Sequence, residues 1–319
     1  MLAKSLRALV AMLLLAAAAA AAQPFPNRPV TIVVPYAAGG GTDAVARALA
    51  QALTRHWSRP VVVENVAGAD GLIGAEKVIR APADGYTMMI GISQILLYRA
   101  TMPEAKIDVL KELKFVSMLQ HAPISFAVAP VIPARDFREF AAYCKASKTG
   151  CTWGSATKQT QLIGRALMDQ AGIPEAVNIN YKGTAPMLTD VLGGHVSLGI
   201  VAVTAVQSHQ RAGTLKVLNV GSTERYRQMP NVPTLRESGI DLTADTWYGL
   251  MVPAGTPPAI FDAIAAAVKA VSTDPQLLAT IEQNGGQALF TDPGAFAEHV
   301  RNEAQELDRL LKKYPPPRE

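Results

Sequence analysis

Apolar residues recur along this chain in two alternating rhythms. Val30 to Val34 is a short β-branched run stopped by Pro35, the signature of a buried strand. After the glycine-rich turn Tyr36 to Gly41, the stretch Thr42 to His56 carries Val45, Ala46, Leu49, Ala52 and Leu53 at helical spacing. Val61 to Val63 predicts the next strand. Gly68, Gly71 and Gly74 punctuate the turn after it, and a short helix runs to Arg80. Thr87 to Gly91 follows the turn Pro82 to Gly85 as a third strand. This β-α-β-α-β order predicts an α/β fold with a mainly parallel sheet covered on both faces.

The theme repeats downstream. The pattern predicts strands at Phe126 to Ala129, Cys151 to Ser155, Val177 to Tyr181, Val196 to Ala202 and Leu215 to Val220. Helices are expected at Asp136 to Ser147, Gln159 to Ala171 and Thr184 to Leu192. A third part holds a strand at Tyr248 to Val252, a helix at Pro257 to Ser272 and a long amphipathic helix at Thr291 to Lys313. Thr291 and Asp292 supply the N-cap region of that last helix, and Lys312 and Lys313 suit its C-terminal dipole. Ser125 to Pro130 and Tyr248 to Pro253 are both short apolar strands ending in proline, each where one block of elements gives way to the next. Two such strands predict a two-strand hinge between two lobes. Lobe 1 is expected to hold residues 23–125 and 250–319, and lobe 2 residues 126–249.

The N-terminus reads as a secretory signal peptide, residues 1–22. Lys4 and Arg7 form its positive region, Leu9 to Ala18 its apolar core, and Ala20 to Ala22 a small-residue site for cleavage before Gln23. The apolar run is short for a membrane-spanning anchor, which is the competing reading. The expected location is therefore the periplasm. The excess of 30 Lys and Arg over 26 Asp and Glu is small and dispersed, and aromatics are only 6%. That composition argues against a nucleic-acid partner.

Export makes the two cysteines informative. Cys144 and Cys151 lie close in sequence, and in an oxidising compartment they suggest one local disulfide; two buried thiols are the alternative. No second Cys or His pair completes a zinc site, and His56, His121, His195, His209 and His299 are scattered without an HExxH pattern. No metal and no cofactor is expected.

Three loops between a strand and a helix carry the most specific chemistry. Pro35 to Asp43 places Gly39, Gly40 and Gly41 before a helix, where free N–H groups face an anion. It lacks the Gly-Lys-Ser/Thr of a P-loop and the GxGxxG of a dinucleotide site. Tyr181 to Pro186 and Ser155 to Thr160 have the same strand, turn and helix-start order. Each helix N-terminus is worth about 0.3–1 kcal/mol to an anion. Together, at strand ends around one crevice, they suit a small anionic ligand. A tight turn with no ligand is the bland reading of any one of them.

These residues also bring out a resemblance. The chain resembles the extracytoplasmic solute receptors of the tripartite tricarboxylate transporter family, the Bug receptors. The matching blocks are Phe25 to Thr31, Val34 to Asp43, Pro60 to Asn65, Gly68-Ala69, Ile73 to Ala75 and Ala83 to Thr87. They continue with Tyr181 to Gly183, Leu188 to Gly194, Pro230 to Thr234, Trp247 to Gly249 and Pro253 to Pro257. The resemblance implies a two-lobe periplasmic binding protein, a Venus flytrap of type II-like form. Such a receptor captures a small organic carboxylate, performs no chemistry and delivers it to membrane permease subunits; it is expected to act as a monomer. By the same resemblance, Tyr36, Ala38, Gly39, Gly40, Gly41, Thr42 and Asp43, with Tyr181, Gly183 and Thr184, hold the ligand carboxylate, largely through backbone N–H groups and water. Ser93, Ser155 and Thr157 face the cleft.

The chain departs from the family pattern in places. Ala156 to Thr160 replaces a longer glycine-rich segment. Leu72 stands where a small polar residue is frequent, Ser197 replaces a frequent Asp, and Val201 to Val203 lacks polar groups. These changes point to a ligand with one main anionic group and a more apolar body, or to drift at packing positions. Asp43 either meets a ligand or complements the helix dipole. Lys158 either pairs with a carboxylate or is solvated. Lys182 is expected to point outward, and Asp190 to make a structural hydrogen bond. Two other functions stay open. A sensory receptor docking on a membrane kinase would share the lobes. An exported hydrolase would need a nucleophile elbow, and Gly91-Ile92-Ser93-Gln94-Ile95 lacks its last glycine.

Overall fold

The computed structural model describes residues 25–315. The leader expected over residues 1–22 and its cleavage point before Gln23 lie outside them. Among the described residues, no helix is long and apolar enough to cross a membrane.

The chain builds one continuous sheet with two halves. In the first, β1 (Val30–Val34) runs parallel to β2 (Val61–Asn65) and to β3 (Thr87–Ile92). In the second, β5 (Thr152–Ser155) runs parallel to β6 (Val177–Asn180) and to β7 (Leu198–Ala202). The two are joined by β4 (Leu113–Val128), whose 16 residues exceed any strand expected from the pattern. Its first part pairs antiparallel with β9 (Asp245–Pro253), and its last part with β7 and with β8 (Lys216–Val220). A two-residue strand, β10 (Gln287–Ala288), closes the first half against Gln120 and His121.

Helices cover both faces of each half, so the inner parallel strands β1, β3, β5 and β7 are largely buried, while the edge strands β2 and β6 stay partly exposed. In the first half, Gly41–Trp57, Pro258–Val271 and Pro275–Gln283 bury Leu49, Leu53, Ile264, Leu277 and Ile281 against one face. Leu72–Ile79 and the start of Pro293–Lys313 bury Ala75, Val78, Phe296 and Val300 on the other. In the second half, Phe137–Ala146 and Lys158–Gln170 cover one face, and Thr184–Leu192 and Val203–Ala212 cover the other. The long last helix ends on the second half: Leu310 and Tyr314 pack against its core, and the Tyr314 hydroxyl donates to Asp169 at 2.5 Å.

Two extended segments pass between the halves. Their crossing points differ from the proline-ended runs singled out in the sequence. The outgoing chain crosses within β4, where pairing changes from β9 at Pro123 to β7 at Ile124. The returning chain crosses at Ala244, whose carbonyl accepts from the Ile124 N–H at 2.8 Å while its own N–H donates to Gly221 at 2.9 Å. Tyr248 to Pro253 therefore lies wholly in the first half. Proline ends the pairing of β9 there, after the crossing is complete.

At this crossing, His121 Nε2 lies 3.3 Å from Asp245 Oδ2. Burial alone would lower the His121 pKa, but its hydrogen bond to Asp245 and the charges of Asp245 and Glu303 outweigh that and raise it above 6.5. A raised histidine pKa contributes stability that is fully present below the unfolded value and is lost as pH rises through the folded one. The urea midpoint of wild type should therefore exceed that of His121→Gln most at pH 5.5. The gap should narrow steadily toward pH 8.5; a gap independent of pH would contradict the pairing.

Cys144 and Cys151 form a disulfide with Cα atoms 5.4 Å apart, tying the end of Phe137–Ala146 to the start of β5. Closing so short a loop stabilises the fold by about 2.5 kcal/mol in the chain-entropy account. The double variant Cys144→Ser, Cys151→Ser should lower the unfolding free energy by about that amount in urea titrations. No change would mean the reduced chain is already held locally.

Candidate ligand-binding cleft

The two halves face each other across a cleft with two chambers. The larger, about 660 Å³, is walled by Pro35 to Ala37, by Asp70 and Gly71, and on the other half by Ser155 to Lys158 and Asn180 to Thr184. The smaller, about 360 Å³, is walled by Gly40, Gly41, Thr246 and Tyr248, and opposite them by Ile200 to Ala202, Thr204 and Ala205. Ile92, Gln94, Ala156, Thr157 and Thr184 border both chambers.

Helix N-termini converge on these walls. The N-cap positions of Gly41–Trp57, Leu72–Ile79, Thr184–Leu192 and Val203–Ala212 are Gly40, Gly71, Gly183 and Ala202. None of these four helices has a side chain bonded to its first-turn N–H groups. Helices that start away from the cleft differ. Asp136, Asp274 and Asp292 each cap their own helix through a carboxylate. The outward helix Pro258–Val271 and the short helices Tyr98–Thr101 and Val109–Glu112 also lack a side-chain cap, so the contrast holds for the longer helices begun by Asp136, Asp274 and Asp292. A carboxylate cap is worth about 1 kcal/mol to a helix relative to alanine and a few tenths relative to glycine. The cleft-facing helices forgo it and leave donors and positive field for an anion. Lys158–Gln170 is the exception at the cleft, with a reciprocal cap between Thr157 and Thr160.

Tyr36, Gly40, Gly41, Ser155, Thr157, Tyr181, Gly183 and Thr184 line one chamber or the other. Ala38, Gly39, Thr42, Asp43 and Ser93 do not line either. Asp43 is buried and accepts from the Gly39 N–H at 2.9 Å, Arg47 Nε at 3.0 Å and Asn65 Nδ2 at 3.0 Å. Burial would raise its pKa, but these bonds and the Arg47 charge prevail and lower it. Asp43 thus shapes the loop, and Arg47 balances its charge beside the helix start. Thr42 is buried close to the Tyr248 hydroxyl, which Thr204 of the other half also approaches.

Ser93 is fully buried as a link between halves. Its hydroxyl lies 3.0 Å from Gln159 Oε1 and 3.1 Å from Thr246 Oγ1, and Gln159 Nε2 donates to the Asp245 carbonyl at 3.1 Å. On the far side, Tyr226 donates to the Gly285 carbonyl at 2.5 Å and Gln228 to the Gly286 carbonyl at 3.0 Å. Lys158 lines the larger chamber. Lys182, expected to point away, is exposed but also on that chamber's rim. Asp190 accepts from the Tyr181 hydroxyl at 2.5 Å, the structural role expected of it.

Several wall residues escaped the sequence reading. The helix Val203–Ala212 begins directly from β7 without a capping residue or a glycine, so no local signal marks its N-terminus. Gln94, Asp70 and Thr246 also line the walls without a motif that marks them as such. Gln94 follows the C-terminal end of β3, where open α/β sheets bind ligands, and that position was the available clue.

Known proteins agree with this architecture. The family model described as the tripartite tricarboxylate transporter family receptor matches residues 45–315. Protein BugT of Bordetella pertussis is 30% identical over 298 residues, covering 92% of this chain and 91% of the relative. MatC from Rhodopseudomonas palustris, solved with bound malate, superimposes with a TM-score of 0.78 at 26% identity. That match covers 90% of this chain and 100% of MatC. A second R. palustris protein, solved with adipate, gives 0.81 at 27% identity over 90% of this chain and 97% of that one. Two facing halves joined by crossing strands, with a cleft ringed by helix N-termini, thus accompany a family match over most of the sequence: the chain belongs to the tripartite tricarboxylate transporter receptor family, whose members are periplasmic solute-binding receptors.

Proposed function

We propose that this protein is a periplasmic receptor that captures one small organic carboxylate between its lobes and hands it to a membrane permease, without chemistry of its own. The observation that carries the reading is the contrast in caps. Asp136, Asp274 and Asp292 cap longer helices that start away from the cleft. Among the described residues, Gly40, Gly71, Gly183 and Ala202 leave open four of the five α-helices that start at the cleft, Lys158–Gln170 being the capped one. The malate and adipate held by the two R. palustris relatives support a carboxylate as the ligand class.

In this reading the carboxylate lies among backbone N–H groups near Gly40, Gly41, Gly183 and Thr184, with Tyr36, Ser155, Thr157 and Tyr181 around it. Ala38, Gly39, Thr42, Asp43 and Ser93 hold those groups in place. The chain up to Pro123 and from Asp245 onward moves as one lobe and Ile124 to Ala244 as the other, a boundary a few residues earlier on each crossing strand than 125/126 and 249/250. The leader, residues 1–22, is removed before Gln23, and the receptor works as a monomer. The apolar wall of Ile92, Ile124, Ile200 and Val201 in the smaller chamber fits a ligand body with few polar groups.

A thermal-shift screen of mono-, di- and tricarboxylates, amino acids and aromatic acids tests the ligand class. A ligand at a hundredfold excess over its Kd stabilises by about 2.7 kcal/mol, so at least one acid should raise Tm clearly. A hit restricted to neutral compounds would refute the reading.

A further inference from the structure

Gln94 is the one amide at the border of both chambers, and its two ends are not equally engaged. The residue is 3% exposed. Its Nε2 donates to the Asp70 carbonyl at 3.0 Å, which fixes which end of the amide is which. Its Oε1 is buried and has no hydrogen-bond partner. In the larger chamber the buried Tyr36 hydroxyl likewise has no hydrogen-bond partner, whereas Ser155, Gln161 and Asn180 are committed to one another. Ser155 Oγ lies 2.9 Å from Asn180 Oδ1, and Gln161 Nε2 lies 3.2 Å from the same oxygen. A buried acceptor without a donor is costly, and a ligand that brings a donor relieves that cost.

Building on the carboxylate reading, we propose that Gln94 is a specificity-determining residue that selects carboxylates bearing an O–H or N–H donor on their body, such as hydroxy or amino acids, over unsubstituted acids of the same frame. The ligand carboxylate meets the helix N-termini, and the chain beside it passes the border between the chambers, where the Gln94 oxygen accepts. A site whose buried acceptor is left unpaired by the wrong ligand discriminates strongly, whereas apolar walls discriminate weakly. The Asp70 carbonyl also accepts from the Tyr98 hydroxyl at 3.1 Å, so it keeps a partner when Gln94 is replaced.

The test uses three matched sets, each with a hydroxyl, an amino and an unsubstituted member: malate, aspartate and succinate; lactate, alanine and propionate; 3-phenyllactate, phenylalanine and 3-phenylpropionate. Calorimetric titration of the wild-type protein should show, within the set that binds best, a donor-bearing acid about tenfold or more tighter than the unsubstituted one. The hydroxyl and amino arms show which donor is read. In Gln94→Met, of similar volume and without the acceptor, that ratio should fall to within about twofold while the unsubstituted acid still binds. Equal binding of unsubstituted and donor-bearing acids by wild type would overturn the proposal, and so would a ratio that survives Gln94→Met. The wild-type comparison decides even where the variant fails to fold. Absence of binding by every acid in all sets would overturn the carboxylate reading itself, and this proposal with it.

Discussion

Gly40→Asp is expected to abolish carboxylate binding while leaving the empty receptor at least as stable as wild type. Gly40 is the N-cap of Gly41–Trp57 with φ −80° and ψ 170°, an extended conformation that aspartate adopts freely. A Cβ built there meets nothing closer than the Ala37 carbonyl at 3.8 Å. An aspartate at this position accepts from the first-turn N–H groups and gains a few tenths of a kcal/mol over glycine. The same carboxylate then occupies the donors meant for the ligand and sets a like charge beside it. At about 4 Å and an effective dielectric near 20, that repulsion is roughly 4 kcal/mol, more than a hundredfold in Kd. Calorimetric titration and thermal unfolding of the same preparation read both effects. Binding within threefold of wild type would mean that the ligand lies elsewhere.

Phe296→Ala should cause the largest loss of stability. Phe296 is fully buried where the last helix meets the strands that join the halves. Its ring makes edge contacts with Phe115 of β4 at 5.3 Å and Trp247 of β9 at 5.0 Å between centroids. Gly249 of β9 lies beneath it, so close that a Cβ there would come 2.2 Å from the Phe296 ring. Few atoms can shift to refill the space, because the strands on that side are paired on both edges. Truncating such a ring costs about 3–5 kcal/mol. Urea unfolding should show that loss with an unchanged slope. A loss under 1 kcal/mol would mean that the helix is not anchored through this ring.

Much of this molecule was legible from local patterns. A parallel strand buried on both faces shows as an unbroken β-branched run, which is why Val30 to Val34 was plain; Val61 to Val63 reads the same way although, at the sheet edge, it exposes Val62. The Gly39–Gly41 turn announced a helix start through a residue type that such positions favour. The joining strand β4 was not legible over Leu113 to Ser125. Ser117, Gln120, His121 and Pro123 interrupt its apolar run, yet Ser117 and Gln120 are buried there. Ser117 gains a partner in the Thr291 carbonyl at 2.8 Å, from a segment 174 residues away. No local window holds that information.

The candidate site divided along similar lines. Glycine and threonine at loop ends pointed to the walls because backbone geometry is a local property. Whether a side chain in those loops faces the cleft depends on remote partners. Asp43 turns to Arg47 and Asn65, and Ser93 to Gln159 and Thr246, so both stand behind the wall. The N-terminus of Val203–Ala212 reaches the cleft only because β7 delivers it there.

The central claim is that uncapped helix N-termini in this cleft hold a ligand by its carboxylate. Calorimetric titration of the purified receptor with its best acid, beside the methyl ester of the same acid, tests that claim most directly. The two differ in charge and hardly in shape. The account predicts that the ester binds at least about a hundredfold more weakly, since it offers the N–H groups no anion. An ester that binds as tightly as the acid would contradict it.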